Sequence, residues 1–207
     1  MARVSAASGR HISFTNGIVL KKIGIYGGTF DPVHHAHLIL AREAREMLAL
    51  EKIIFVPAAI SPGKDSPVAS AAMRLSMLRA AIGNEIGFIV DDCELHRPPP
   101  SYTIDTTEEI RRREVDSEIY YLIGEDNLSG LPGWHRFEQL QEMVRFVVLD
   151  RTGTQTNHPY QVVHRRIDIS ATEIRKRVAS GQSIRYFVPR AVEKIIGRQK
   201  LYQEQAK

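Results

Sequence analysis

An α/β fold, an open parallel sheet covered by helices on both faces, is what this sequence predicts. Three observations carry the prediction. Short apolar runs alternate with stretches at helical spacing, the 207-residue chain is long enough for one sizeable core, and no run of apolar residues approaches the roughly eighteen that a membrane-spanning helix needs. Strands separated by helices require crossover connections, which are almost always right-handed and leave the sheet buried between helical layers.

The elements follow in order. Ile23 to Tyr26 reads as a strand ended by Gly27 and Gly28, and from His37 to Leu50 the residues Leu38, Ala41, Arg45 and Leu48 recur at helical spacing. "KIIFVP" (52–57) is a second strand, "ASAAMRLSMLRAAI" (69–82) a helix and "IGFIV" (86–90) a third strand. "RPPP" (97–100) breaks the chain, after which Asp105 and Glu108 form a capping box for a helix through Arg113. "EIYYLIG" (118–124) is a buried strand, followed by a short helix from Phe137 to Met143, the strand "VRFVVLD" (144–150) and the strand "YQVVHRRI". Two helices, beginning near Ser170 and Pro189, close the chain.

Charge gives little. The net charge is +4, but Arg3, Arg10, Lys21 and Lys22 precede residue 23 with no acid among them, so 24 basic side chains then face 24 acidic ones. A basic footprint for nucleic acid is therefore absent from the body of the chain, and "RRR" (111–113) and "HRR" (164–166) lack the aromatic platform of an RNA-binding surface. Residues 1–20 are rich in Ser, Ala and Gly at the start, without a secretory apolar region, and read as a disordered extension before a single domain over 21–207 with a small C-terminal helical part. The lone cysteine, Cys93, excludes an internal disulfide framework and reads as a buried thiol of a cytoplasmic protein.

In such sheets ligands bind at the carboxyl ends of the strands, where "GGTFDPVHHAHL" (27–38) lies. Gly27 and Gly28 allow close backbone approach, Thr29 adds a hydroxyl, and the following helix presents unpaired N–H groups and a positive dipole end, a design for phosphate. His34 and His37, three apart, share a face; His35 points elsewhere, which disfavours a zinc site despite the nearby Asp31. "ISATEIR" (169–175) offers a second helix start, with Ser170 as N-cap, Thr172 and Glu173 in the first turn and the Arg175 guanidinium one turn on.

Together these two segments resemble the HxGH and ISxTxxR signatures of the nucleotidylyltransferase superfamily. "PSYTIDT" (100–106), "YLIGEDNLSGLPGWHRFEQL" (121–140), "FVVLDRTG" (146–153) and "IRYFVPRAVEKII" (184–196) narrow the resemblance to the bacterial nicotinate-nucleotide adenylyltransferases, from about Ile23 to Tyr202. The resemblance implies a Rossmann-like nucleotidylyltransferase fold and transfer of the adenylyl group of ATP to nicotinate mononucleotide, giving deamido-NAD and pyrophosphate. It also implies Mg2+, held mainly by the ATP phosphates rather than by protein ligands.

By matching position, His34 and His37 would hold the phosphates and the transition state, with Gly27, Gly28, Thr29 and Phe30 lining the same pocket. Ser170, Thr172 and Arg175 would take the triphosphate, Gly124 would pass close to the adenosine, and Asp126 would accept from its ribose. Tyr102, Thr103 and Trp134 would surround the nicotinate ring, and Arg151 would meet its phosphate or carboxylate end. Two positions depart from the family pattern. Ala36 replaces the glycine of HxGH, and "SPGK" (61–64) replaces PPHK, so Gly63 stands for a histidine and Lys64 is left as the loop's charge. Alternatives are phosphopantetheine adenylyltransferase, which shares the first motif, and a catalytically weak nucleotide-binding relative.

Overall fold

The computed structural model describes residues 14–15, 18–60, 66–153 and 157–203. A short antiparallel pair, β1 (Phe14–Thr15) and β2 (Ile18–Val19), precedes the main sheet. That sheet is built from β3 (Lys21–Gly28), β4 (Lys52–Pro57), β5 (Phe88–Val90), β6 (Ser117–Gly124), β7 (Arg145–Asp150) and β8 (Gln161–His164). Its spatial order is β5-β4-β3-β6-β7-β8, with every neighbouring pair parallel. The chain runs outward from β3 on one side and returns to continue from β6 on the other. The point of reversal, between the carboxyl ends of β3 and β6, is where such sheets form a binding crevice. Gly27 and Gly28 end the first of these strands and Gly124 the second.

Among the described residues, six α-helices connect and cover the strands: α1 (His35–Met47), α2 (Ala71–Ile82), α3 (Thr103–Arg113), α4 (Phe137–Met143), α5 (Ala171–Ala179) and α6 (Arg190–Arg198). Because strand side chains alternate, Tyr26, Phe55, Leu122 and Val147 face one apolar layer with Leu40 of α1, Met77 of α2, Ile174 of α5 and Val192 of α6. Ile25, Val56, Tyr121 and Val148 face the other, with Ile104 and Ile110 of α3 and Leu140 of α4. Both faces are thus dry, which is why the strands read as continuous apolar runs.

Several boundaries differ from the sequence reading, three of them for reasons visible in the backbone. Helix α1 begins at His35 because His34 is extended (φ −144°) and serves as its N-cap. The third expected strand loses Ile86 and Gly87, since Gly87 sits at φ 84°, a left-handed conformation that a strand does not continue through. The capping box of Asp105 and Glu108 does not form. Helix α3 starts at Thr103, two residues further on than the end of the proline run would allow at its earliest, with Tyr102 extended as N-cap; Asp105 is already inside the first turn, where its charge still favours the helix dipole. The arginines at 111–113 form the last turn of α3, with Arg113 paired to Asp91 at 2.7 Å, and Arg165 pairs with Glu43 at 3.5 Å.

Gly27 has a packing reason of its own. A Cβ there would fall on the Tyr121 hydroxyl, the next ring atom being 3.4 Å away, and a Cβ on Gly28 would meet the Phe30 ring at 2.9 Å. Their missing side chains therefore make room for these rings as well as bordering the crevice. Gly27→Ala is expected to lower the unfolding free energy by about 1–3 kcal/mol, and most of that loss should vanish in a Tyr121→Phe background. An equal loss in both backgrounds, measured by denaturant unfolding, contradicts this packing.

Candidate active site

The turn after β3 is held in an unusual shape. Phe30, buried to 2% exposure, adopts φ 49°, a left-handed conformation unfavourable for a side chain with a Cβ. Such strain persists only where surrounding bonds fix it. Asp31, the next residue, supplies them: its carboxylate accepts the Val68 N–H at 2.7 Å, the Ala69 N–H at 3.2 Å and the Tyr202 hydroxyl at 2.6 Å. From below, the buried Arg74 of α2 donates to the carbonyls of Thr29 (2.8 Å), Ala59 (3.3 Å) and Ala69 (3.3 Å).

His34 and His37 emerge where this turn enters α1. Their rings stack with centroids 3.7 Å apart and planes 21° apart, so the expected shared face is realised. The His34 backbone N–H donates to His37 Nδ1 at 3.2 Å. That bond leaves the His37 proton on Nε2, a tautomer assigned from the hydrogen-bond network. Among the described residues, His34 Nδ1 is buried without a hydrogen-bond partner. Enclosure lowers the pKa of both imidazoles, to about 3 for His37; the neighbouring Arg151 cation adds to the effect on both, and His37 also lowers that of His34. Both are therefore neutral near pH 7. They can direct N–H groups at an anion without contributing net charge. Ala36, between them, is buried on the first helical turn.

The remaining walls bring the expected residues together around a cavity of about 1020 Å³. Gly27, Gly28, Thr29, Phe30, His34 and His37 line one side, and Gly124, Asp126, Arg151, Ser170, Thr172 and Arg175 others. At Gly124 a Cβ would fall on Asp126 Oδ1, so this glycine leaves room for the Asp126 carboxylate. Ser170 Oγ accepts the Glu173 N–H at 3.1 Å and caps α5. Arg175 donates to Thr172 Oγ1 at 3.2 Å and, at 2.7 Å, to the Asp31 carbonyl, which ties α5 to the β3 turn. Arg151 is steadied by the Ile169 carbonyl at 3.1 Å.

An aromatic wall completes the cavity. Trp134 stands edge-on to Tyr121 and Phe146, at centroid distances of 6.2 and 6.3 Å, and Tyr102 and Thr103 lie at the start of α3. Trp134 and Tyr102 serve the core and the cavity together. Lys64 and Gly63 fall outside the described residues. Among the described residues, no three His, Cys, Asp or Glu side chains converge as a metal cluster.

Several residues of the site were not singled out from sequence. His135 borders the cavity with its ring centroid 4.4 Å from that of Tyr102. Glu94, at 4% exposure, also lines it and accepts the Thr106 hydroxyl at 2.7 Å; burial raises its pKa against the lowering effect of that bond. Arg74 carried a visible signal: it is three and four residues before the buried Met77 and Leu78, a cation on the apolar face of α2.

Fold and site together define an open parallel α/β protein whose glycine-containing turn and histidine pair face one cavity at the strand-order reversal. A model of the cytidylyltransferase-like family matches residues 25–177. Two proteins described as probable nicotinate-nucleotide adenylyltransferases are each 42% identical to this chain. That of Exiguobacterium sibiricum aligns over 87% of this chain and 98% of its own length, and that of Geobacillus thermodenitrificans over 87% and 86%. A Plasmodium falciparum nicotinic acid mononucleotide adenylyltransferase, solved in complex with NaAD, superposes with a TM-score of 0.74 at 20% identity, over 88% of this chain and 97% of that one, and shares the fold. The chain belongs to the nicotinate-nucleotide adenylyltransferase family, within the cytidylyltransferase-like proteins.

The neutral imidazoles make stability depend on pH. Free histidine titrates near 6.5, so between that value and about 3 the unfolded chain binds protons that folded His37 refuses, and stability falls as pH falls through this window. The melting temperature should decline from pH 7 to pH 4 more steeply in the native chain than in a His37→Gln variant. Parallel profiles would contradict the neutral buried pair.

Proposed function

We propose that the cavity binds ATP and nicotinate mononucleotide side by side and transfers the adenylyl group, giving deamido-NAD and pyrophosphate. The observation that carries this reading is the stacked His34–His37 pair, neutral and oriented by the main chain, facing one cavity with Arg151 and Arg175. A phosphate oxygen of the mononucleotide attacks the α-phosphorus of ATP; a new P–O bond forms as the bond to the β-phosphate breaks, and pyrophosphate leaves. No protein nucleophile is needed, only positioning and charge stabilisation.

Each wall then has a task. His34 and His37 donate hydrogen bonds to phosphate oxygens whose charge grows in the transition state. Nδ1 of His34, without a hydrogen-bond partner among the described residues, gives that ring bonding capacity toward a ligand. Gly27, Gly28, Thr29 and Phe30 shape the phosphate turn, while Ser170, Thr172 and Arg175 at the start of α5 receive the triphosphate. Asp126 accepts from the ribose hydroxyls beside Gly124. Tyr102, Thr103 and Trp134 surround the nicotinate ring, Arg151 meets the anionic end of the mononucleotide, and Lys64 adds a charge from its loop.

Mg2+ would enter on the ATP phosphates, since a small cation that keeps several waters is commonly held by substrate phosphates. It supplies charge neutralisation there. The reaction is placed in the cytoplasm, where a chain with a single cysteine keeps its thiol reduced.

The test is pyrophosphate release from ATP with Mg2+ and, separately, nicotinate mononucleotide, nicotinamide mononucleotide or phosphopantetheine. Turnover is expected with nicotinate mononucleotide foremost. His34→Ala and His37→Ala should each lower it by roughly 10²-fold or more, with the fold intact. Preference for phosphopantetheine, or nucleotide binding without pyrophosphate release, would overturn the reading. Near-normal turnover in both histidine variants would remove their catalytic assignment.

A further inference from the structure

The segment after α6 reaches the turn after β3. After α6, Lys200 adopts φ 50° and Tyr202 φ 63°, two left-handed conformations within three residues, neither of them glycine. Each is unfavourable for a residue with a Cβ, so the surrounding contacts must hold them. Their result is specific: the Tyr202 ring packs against the apolar layer beneath α1 and α2, and its hydroxyl donates to Asp31 Oδ1 at 2.6 Å, across 171 residues of sequence.

Asp31 is the point where three parts of the molecule meet. Its carboxylate takes Tyr202 together with the Val68 and Ala69 N–H groups, and its own carbonyl takes Arg175 Nη1 at 2.7 Å. Fixing the Asp31 side chain therefore fixes the peptide that aims the Arg175 guanidinium, whose other end rests on Thr172 Oγ1. A guanidinium has five N–H donors in a rigid fork, so two protein bonds set its plane and leave donors for an anion. A carboxylate hydrogen bond from a hydroxyl is also among the stronger kinds.

We propose that Tyr202 is a positioning residue for the triphosphate: its hydroxyl, acting through Asp31, holds Arg175 at the angle that ATP requires. The proposal rests on the ATP site described above and deepens it. Tyr202 itself need not touch a substrate. The residue acts on one substrate only, because Arg175 lies on the α5 wall and the aromatic acceptor wall is built from α3 and the segment around Trp134.

Tyr202→Phe, which keeps the ring and removes the hydroxyl, is expected to weaken binding of a non-hydrolysable ATP analogue about tenfold, as read by calorimetry. The KM for ATP should rise in step while that for the mononucleotide changes less than about twofold. The same substitution made in an Arg175→Ala background should change analogue affinity less than about twofold, because the two act as one unit. Unchanged analogue affinity in Tyr202→Phe, whatever happens to the melting temperature, would overturn the proposal, as would an undiminished tenfold loss in the Arg175→Ala background. Analogue binding separates this from the activity: a native chain that binds ATP without turnover defeats the reaction assigned above and leaves the latch open to the same affinity test.

Discussion

A buried cation under the turn after β3 is the constraint on which the rest of the site depends. Arg74 is 1% exposed, and placing a guanidinium there is unfavourable unless its N–H groups are paired and an opposite charge is near. Both conditions are met. Its N–H groups reach the carbonyls of Thr29, Ala59 and Ala69, and the Asp31 carboxylate offsets the lowering of its pKa by burial. The turn after β3, the chain after β4 and the start of α2 are thereby pinned to one point. Loosening that point would free Phe30 from its strained conformation and with it the peptide leading to His34.

Direction and charge are divided among different residues in the cavity. The stacked imidazoles are neutral, so His34 and His37 aim donors without repelling the nearby Arg151. Arg151 and Arg175 place their guanidinium groups on the cavity walls and, in the proposed reaction, provide the field that a polyphosphate meets. A protonated pair at 3.7 Å would repel itself and Arg151 together. The lowered pKa of each ring thus follows from the same crowding that stacks the pair.

Much of this was legible in the sequence, for identifiable reasons. Strands buried on both faces read as apolar runs, and α4 appears over Phe137–Met143 as its pattern suggested. The turn after β3 was visible because its glycines, threonine and histidines lie within one short stretch of sequence. The Asp31 contacts were not, since their partners lie 37, 38 and 171 positions away and no local pattern links them. Asp105 misled because a local capping signal lost to the proline run, which ends three residues before Thr103 and lets α3 start there. His135 carried no periodic signal at all, and only the folding of its segment beside Tyr102 brings it to the cavity.

The anchoring role of Arg74 is tested most directly by Arg74→Lys, which keeps the charge but replaces a planar fork by a single ammonium that cannot serve three separated carbonyls. With Arg74 as the anchor, adenylyl transfer measured well below the variant's melting temperature falls by roughly tenfold or more, and the melting temperature itself drops. Native turnover in a folded Arg74→Lys protein would show that the turn keeps its shape without the buried fork, and would contradict the dependence of the site on it.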